Sequence, residues 1–554
     1  MNRDRFLSFI LVVAAGLVAI SLVVSAGRPE WATASQPLER LTIPTPTPTL
    51  VPWAYAPVVV KNYPSLGQAA AVTFPNCRYG VAAWQNQMQN FDIVSNLGVG
   101  WYLDFTTHET PPGPAQAEYV QMVRLSQDRG ESDTCGPDYG YSVSPPLTDA
   151  GLGAMVDANP GALWIVGNEP DRRTVQDDIC PQQYAEAYHD VYQFIKSRDP
   201  TAQVAVAGLV EVSPGRLQYL DIVWETYLEK YGTPMPVDAW TIHVYILSES
   251  NEGDAHIALG TDPALAIPHS SDCADPNSYC YAEHDDVNLF AEQIVRMREW
   301  MKRHGQQNKP LLITEYGILL PYHYYGTCTL ETCPPEGAPG CFCDENKETF
   351  HPQRVADYMT ATFDYLMTAT DPDLGYPADN YRLVQQWLWF SLAYDREGHA
   401  SNLMDSDTYT LTLQGQTWRN YVAAIPPTVN LISAQVPVIV ARSANGTDPV
   451  TVTLTAEVRN NGNTTSAGTV TVTFYSDAGL TTPIGSATFT DLGGCARRAA
   501  VVTTTWANLE TGLHPFWVQV DSTGVINENG EADNVAQGAV MVNPFDLFLP
   551  VLLR

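Results

Sequence analysis

Positive charge is what this sequence has least of: 29 Lys and Arg stand against 61 Asp and Glu, a net charge of −32. A chain so poor in cations cannot neutralise a run of phosphates, which excludes nucleic acid as a partner. The same deficit disfavours an acidic polysaccharide and leaves neutral glycans open. Charged residues are only 16% of the chain and hydrophobic ones 45%, so the composition of a disordered chain is absent too. A zinc spacing is also missing. The densest cysteine run, Cys328, Cys333, Cys341 and Cys343, reads C-x4-C-x7-C-x-C, which favours disulfides over a metal. No metal or other cofactor is expected.

What is there begins with Arg3 and Arg5 ahead of an uncharged apolar run over residues 6–27. Two arginines before such a run form a secretory signal, and the run is also long enough to span a bilayer. Small residues at 25–27 and 32–34 offer cleavage sites. Residues 1–34 therefore read as a signal peptide or a retained signal anchor. Both place the chain outside the cell, secreted or membrane-tethered, where its ten cysteines form disulfides; Cys273 and Cys280 could close one loop. Residues 35–76 carry IPTPTPTL at 43–50, an extended Pro/Thr spacer. At 554 residues the chain exceeds one ordinary core, and at least two domains are expected.

Residues 77–425 alternate short apolar runs with amphipathic helical stretches. Eight runs read as strands: 79–84, 99–105, 119–125, 163–169, 204–210, 239–245, 310–317 and 383–390. Residues 184–198 and 287–305 between them show apolar positions at i, i+3, i+4 and i+7. Apolar strands separated by helices indicate parallel strands buried on both faces, and eight repeats point to a closed (β/α)8 TIM barrel. The segments 246–283 and 318–350, after the sixth and seventh strands, are long and hold six of the ten cysteines. Elaborated strand-to-helix loops surround the working face of such a barrel.

Two of the strand ends there carry a carboxylate, Glu169 in WIVGNEPD and Glu315 in LLITEYG. One such residue could cap a helix or hold an ion pair; two suit glycosidic cleavage, which needs a proton donor and a second carboxylate. The segment resembles clan A of the glycoside hydrolases. Asn168-Glu169 ends strand four, Glu315 ends strand seven, His243 and Tyr245 lie on strand six, and Trp387 and Trp389 on strand eight. WYLDF, YVQMVRL and GNEPD are most similar to the fungal-type endo-β-1,3-glucanase branch. The sequence departs from it at His243-Val244-Tyr245, where His-Trp-Tyr is favoured, and at Asp104, where Asn is expected.

The resemblance implies a retaining hydrolase of a neutral, β-glucan-like carbohydrate. Glu169 is its general acid/base, with a raised pKa, and Glu315 its ionised nucleophile, with Tyr245 as hydrogen-bond donor. Asn168 would donate to a sugar 2-hydroxyl. His243 would hold a sugar hydroxyl or the nucleophile, or else be a core histidine satisfied by backbone. One of Trp387 and Trp389, which share a strand face, would stack on the sugar, with Trp389 preferred. Trp84 and Trp101 could line further subsites. The aromatics Tyr322, His323, Tyr324 and Tyr325 fit either a sugar-binding rim or a small loop core.

Beyond residue 425 the helical signal stops. Residues 426–543 alternate Val and Thr between NNGN and DAG turns, as in an antiparallel immunoglobulin-like β-sandwich. Val458 to Gly462 and the 520–534 segment resemble CARDB adhesion modules, which implies a surface glycan, a protein partner, or a spacer. The acidic residues in 521–533 fit Ca²⁺ or a solvated turn. Residues 544–554 form an apolar tail. The rival reading is a non-catalytic cell-surface glycan-binding protein on the same barrel.

Overall fold

The computed structural model describes residues 74–544 except 128, 130–133, 137–138, 251–255, 322–341 and 395–398. The signal segment, the Pro/Thr tract, the 322–325 aromatics, Cys328, Cys333, Cys341 and the tail from 545 lie outside the described residues. All described residues belong to one compact unit, Pro64–Arg554. Among them no helix is long and apolar enough to cross a membrane.

The first part is α/β. Its strands are β1 (Asn76–Ala82), β2 (Val99–Leu103), β3 (Glu118–Tyr119), β4 (Gln121–Ser126), β5 (Ser142–Ser144), β6 (Leu163–Val166), β7 (Gln203–Val206), β8 (Trp240–His243), β9 (Leu311–Tyr316) and β10 (Gln386–Trp389). They form two sheets, β3-β2-β1-β10-β9-β8 and β5-β4-β6-β7. Every neighbouring pair is parallel except β4 with β5. The sheets meet twice: a parallel bridge joins Ala205 to Ala239, and Val120 alone separates β3 from β4. The sequence reading lacks β5, because three residues, Ser-Val-Ser, are too short to show a period.

Apart from the short, exposed β5, the strands have two buried faces, so their apolar residues alternate between two cores. Leu163 and Ile165 of β6 join an inner cluster with Trp101, Leu103, Met122 and Leu312. Trp164 and Val166 face the helices instead. Helices follow where the sequence supplies both a cap and a stripe. Ser213 accepts from Arg216 N–H with Pro214 opening the helix Pro214–Tyr231, and Asp286 accepts from Asn288 and Leu289 N–H at the head of Val287–Arg303.

The second part holds β11 (Leu431–Gln435), β12 (Val438–Ala441), β13 (Val450–Asn460), β14 (Ser466–Tyr475), β15 (Pro483–Leu492), β16 (Ala499–Leu509), β17 (Gly512–Gln519) and β18 (Val535–Val542). Sheets β11-β13-β16 and β12-β18-β17-β14-β15 enclose a core of Leu454, Val458, Val472, Phe474, Phe516 and Val540. The expectation of a wholly antiparallel sandwich needs one correction, because β12 runs parallel to β18. This module is fixed to the strand starts of the first part. A disulfide joins Cys77 at the head of β1 to Cys495, and Glu118 at the head of β3 pairs with both Arg497 and Arg498. Gln203 at the head of β7 donates to Arg497 O over 3.1 Å. Cys135–Cys180 and Cys273–Cys280 are also bonded.

Candidate active site

At the opposite, carboxyl ends of the strands the chain after β6 turns sharply. Gly167 has φ +96° and a Cβ there would lie 3.0 Å from Asp177 Oδ2. Glu169 itself has φ +43°, a left-handed conformation that costs a non-glycine residue ~1–3 kcal/mol and clusters at functional sites. Its N–H donates to Gly208 O over 3.0 Å, and this fixes the carboxylate above β6 and β7.

Glu315 reaches the same point through an irregularity in β9. Ile242 pairs with Ile313 but His243 pairs with Glu315, and Trp387 pairs with Ile313 but Trp389 with Tyr316. One extra residue on β9 is a bulge. Ile313 and Tyr316 both lie in the outer core, while Glu315 faces inward to His243. Gly208 makes room for that histidine, since a Cβ there would lie 2.4 Å from His243 Cδ2.

The structure thus brings Glu169, Glu315, His243 and Tyr245 together. One oxygen of each carboxylate and a ring nitrogen of His243 all lie within 4.8 Å of one another. His243 Nδ1 is 3.1 Å from Glu169 Oε1 and Nε2 is 3.5 Å from Glu315 Oε1. Tyr245 donates its hydroxyl proton to Glu315 Oε2 over 3.0 Å. Both carboxylates are nearly sealed, at 3% and 6% exposed.

The surrounding charges shift the two carboxyls in the directions opposite to those expected. Burial pushes Glu169 up, but the hydrogen bond and charge of His243, with Arg172 Nη1 2.9 Å from Glu169 Oε2, outweigh it and hold the carboxyl down at about 2. Glu315 is pushed up to about 7, first by burial and also by the charge of Glu169, with His243 opposing. His243 is raised, because the two carboxylates outweigh its burial. These directions favour the charge on Glu169 and the proton on Glu315, as a pair that titrates together. The sequence reading missed Arg172, although its spacing of three from Glu169 was visible.

Asn168 sits beside the pair. Its Nδ2 donates to Gln176 Oε1 over 3.1 Å, and its Oδ1 is buried without a partner among the described residues. The tryptophans are corrected. Trp387 and Trp389 do share a face, but it is the outer one: both are 0% exposed, packed edge-on against Tyr79 and Tyr316 respectively. Trp389 Nε1 donates to Ser401 O over 2.7 Å. Trp101 fills the inner core over Gly80, where a Cβ would come within 2.3 Å of its ring. Neither Trp101 nor the strand-eight pair is available to a ligand. Trp84 stands at the rim, half-buried beside Phe105 at 6.0 Å, Phe390 at 6.3 Å and Tyr394 at 6.1 Å. Phe105, Phe390 and Tyr394 were missed. Period two finds the first two, since Phe105 continues the inward series Trp101–Leu103 and Phe390 follows inward Leu388.

As a metal site the triad fits poorly. The Arg172 guanidinium already occupies one oxygen of Glu169, and a cation there would face its charge. In the sandwich, Asp521 accepts from Val525 and Ile526 N–H, and Asn534 donates to Glu528 and Glu531. These acids serve their own turn.

Residues 435–538 match the CARDB family and form a CARDB domain. No curated protein matches the chain. Among solved structures it is similar to a GH128 (subgroup II) endo-β-1,3-glucanase from Pseudomonas viridiflava, at 16% identity over 63% of this chain and 98% of that one, TM-score 0.34. A monomeric β-xylosidase from Caulobacter crescentus is 12% identical over 79% of this chain and 95% of that one, TM-score 0.38. The CARDB domain of PF1109 from Pyrococcus furiosus, described in complex with di-metal ions, is 20% identical over 22% of this chain and 97% of that one, TM-score 0.17.

Proposed function

We propose that this chain is an exported retaining glycoside hydrolase of a neutral, β-glucan-like poly- or oligosaccharide. On this reading the two sheets are one closed eight-stranded barrel, joined at the Ala205–Ala239 bridge and across Val120. One observation carries the proposal: two buried carboxylates from distant strands lie with oxygens within 4.8 Å, sharing one histidine. Retaining hydrolysis uses carboxyl groups roughly 5–5.5 Å apart, whereas inversion needs room for a water at roughly 6.5–9.5 Å. The disulfides support an oxidising, extracellular setting. The half-buried Trp84, Phe105 and Phe390 and the exposed Tyr394 suit the apolar faces of sugar rings.

In the double displacement Glu315 attacks the anomeric carbon while Glu169 protonates the departing oxygen, and Glu169 then deprotonates the water that releases the sugar. Tyr245 steadies the Glu315 carboxylate by its hydrogen bond. Asn168 Oδ1, buried without a donor, offers an acceptor for a sugar hydroxyl. A second reading exchanges the two glutamates, favoured by the low pKa of Glu169 and the raised pKa of Glu315. The test is digestion of a polysaccharide and aryl-glycoside panel by the wild type, Glu169→Gln and Glu315→Gln. Loss of at least ~10³-fold in both variants is expected. A wild type no better than Glu315→Gln supports a glycan-binding protein instead.

A further inference from the structure

Arg172 poses a problem that the glycosidase reading sharpens. The loop after β6 is crowded with charge, and each acid has its own cation. Asp171 pairs with Arg216, Asp177 with Arg124 at 2.7 Å and Asp178 with Arg129 at 2.6 Å. Arg172 pairs with Glu169 at 2.9 Å. A general acid must be protonated, and once it is, Arg172 has no hydrogen-bonded anion left among the described residues. Its Nε is already buried without an acceptor among the described residues.

The backbone cannot solve this by moving. Asp177 holds Leu125 and Asn168 N–H as well as Arg124, and a disulfide fixes Cys180 to Cys135. The side chain is the part free to turn, and at 20% exposed it reaches the mouth beside the residue that meets the leaving group. We propose that Arg172 is the recognition residue for the leaving-group sugar, whose oxygens draw its guanidinium off Glu169 and so allow Glu169 to hold the proton.

The proton balance of the pair closes without a net change. His243 faces Glu169 with Nδ1 and Glu315 with Nε2. Glu315 gives up a proton to water and Glu169 takes one up, so the number of protons on the pair is unchanged while His243 stays between them. The other charged or titratable groups facing the pair are Tyr245, on Glu315, and Asp171, which Arg216 neutralises. Acid catalysis is thereby switched on by a filled leaving-group subsite. An anionic sugar would satisfy Arg172 as well as a neutral one does, so the test separates them.

The inference rests on the glycosidase reading, and the experiment keeps the two apart. A neutral β-1,3-gluco-oligosaccharide, its uronate counterpart and a 2,4-dinitrophenyl β-glycoside, which needs no acid, are compared in the wild type, Arg172→Gln and Arg172→Lys. In Arg172→Gln the ratio of kcat/KM for the oligosaccharide to that for the aryl glycoside should fall about tenfold, the worth of one charge-assisted contact. Arg172→Lys should fall between. Losing a cation raises a carboxyl pKa, so the alkaline limb of kcat/KM should move to higher pH in Arg172→Gln. Equal losses on both substrates, or an unmoved pH limb, overturn the inference while leaving a glycosidase. A wild type inactive on all three overturns the reading beneath it. A uronate preferred by the wild type and lost in Arg172→Gln keeps the role of Arg172 and corrects the substrate.

Discussion

Gly208→Ala adds one methyl group at the point where β7 leaves room for His243. The new Cβ would lie 2.4 Å from His243 Cδ2, 2.6 Å from Nε2 and 2.9 Å from Thr314 Oγ1. Ordinary contact begins near 3.4 Å, so the imidazole must retreat by about 1 Å, 3.4 less 2.4. It cannot do so and keep Nδ1 3.1 Å from Glu169 and Nε2 3.5 Å from Glu315. A displacement of that size in a reacting constellation costs about 10²-fold. The overpacking itself should cost only ~1–3 kcal/mol of stability. The assay is kcat on the best substrate of the panel, beside a denaturant unfolding curve. A folded variant with kcat down at least ~30-fold is expected. Wild-type turnover in a folded Gly208→Ala protein would refute the bridging role of His243.

Three other outcomes follow from the same geometry. Glu169→Ala should be rescued by substrates with good leaving groups, whereas Glu315→Ala should stay inactive on them; the reverse pattern exchanges their roles. The carboxyl pair works with one proton, so kcat/KM should fall above about pH 7 as Glu315 in the free enzyme loses its proton, and on the acid side only towards about pH 2, where Glu169 gains one. A stopped-time pH series checks both limbs. Breaking the disulfide between Cys77 and Cys495, which spans 418 residues, with the pair Cys77→Ser and Cys495→Ser should lower unfolding free energy by about 2–4 kcal/mol. It should leave KM unchanged, because that bond lies at the strand starts and the carboxylates at the strand ends.

The strand order was open to reading because each strand is a continuous apolar run with turn residues at its ends. The two glutamates were legible because each stands within three residues of the end of such a run. What could not be read is how they face each other. Glu315 shares its parity with Leu311 and Ile313, both in the outer core, and only the bulge at Thr314–Glu315 turns it inward. Alternation also paired Trp387 with Trp389 correctly without saying which face is the inner one; Phe390, one residue on, takes the inward place. The directions of the two pKa shifts were hidden for a different reason. They depend on Arg172 and His243 acting on one carboxylate at 2.9 and 3.1 Å, and distances between residues 74 apart are not written in a linear pattern.

Covalent trapping tests the double displacement most directly. The full-length protein is incubated with an activated 2-deoxy-2-fluoro glycoside matching the best sugar of the panel, digested, and mapped by mass spectrometry. A single glycosyl adduct on the peptide carrying Glu315, formed in step with loss of activity, is the expected result. An active enzyme that forms no adduct and releases product of inverted configuration would contradict it.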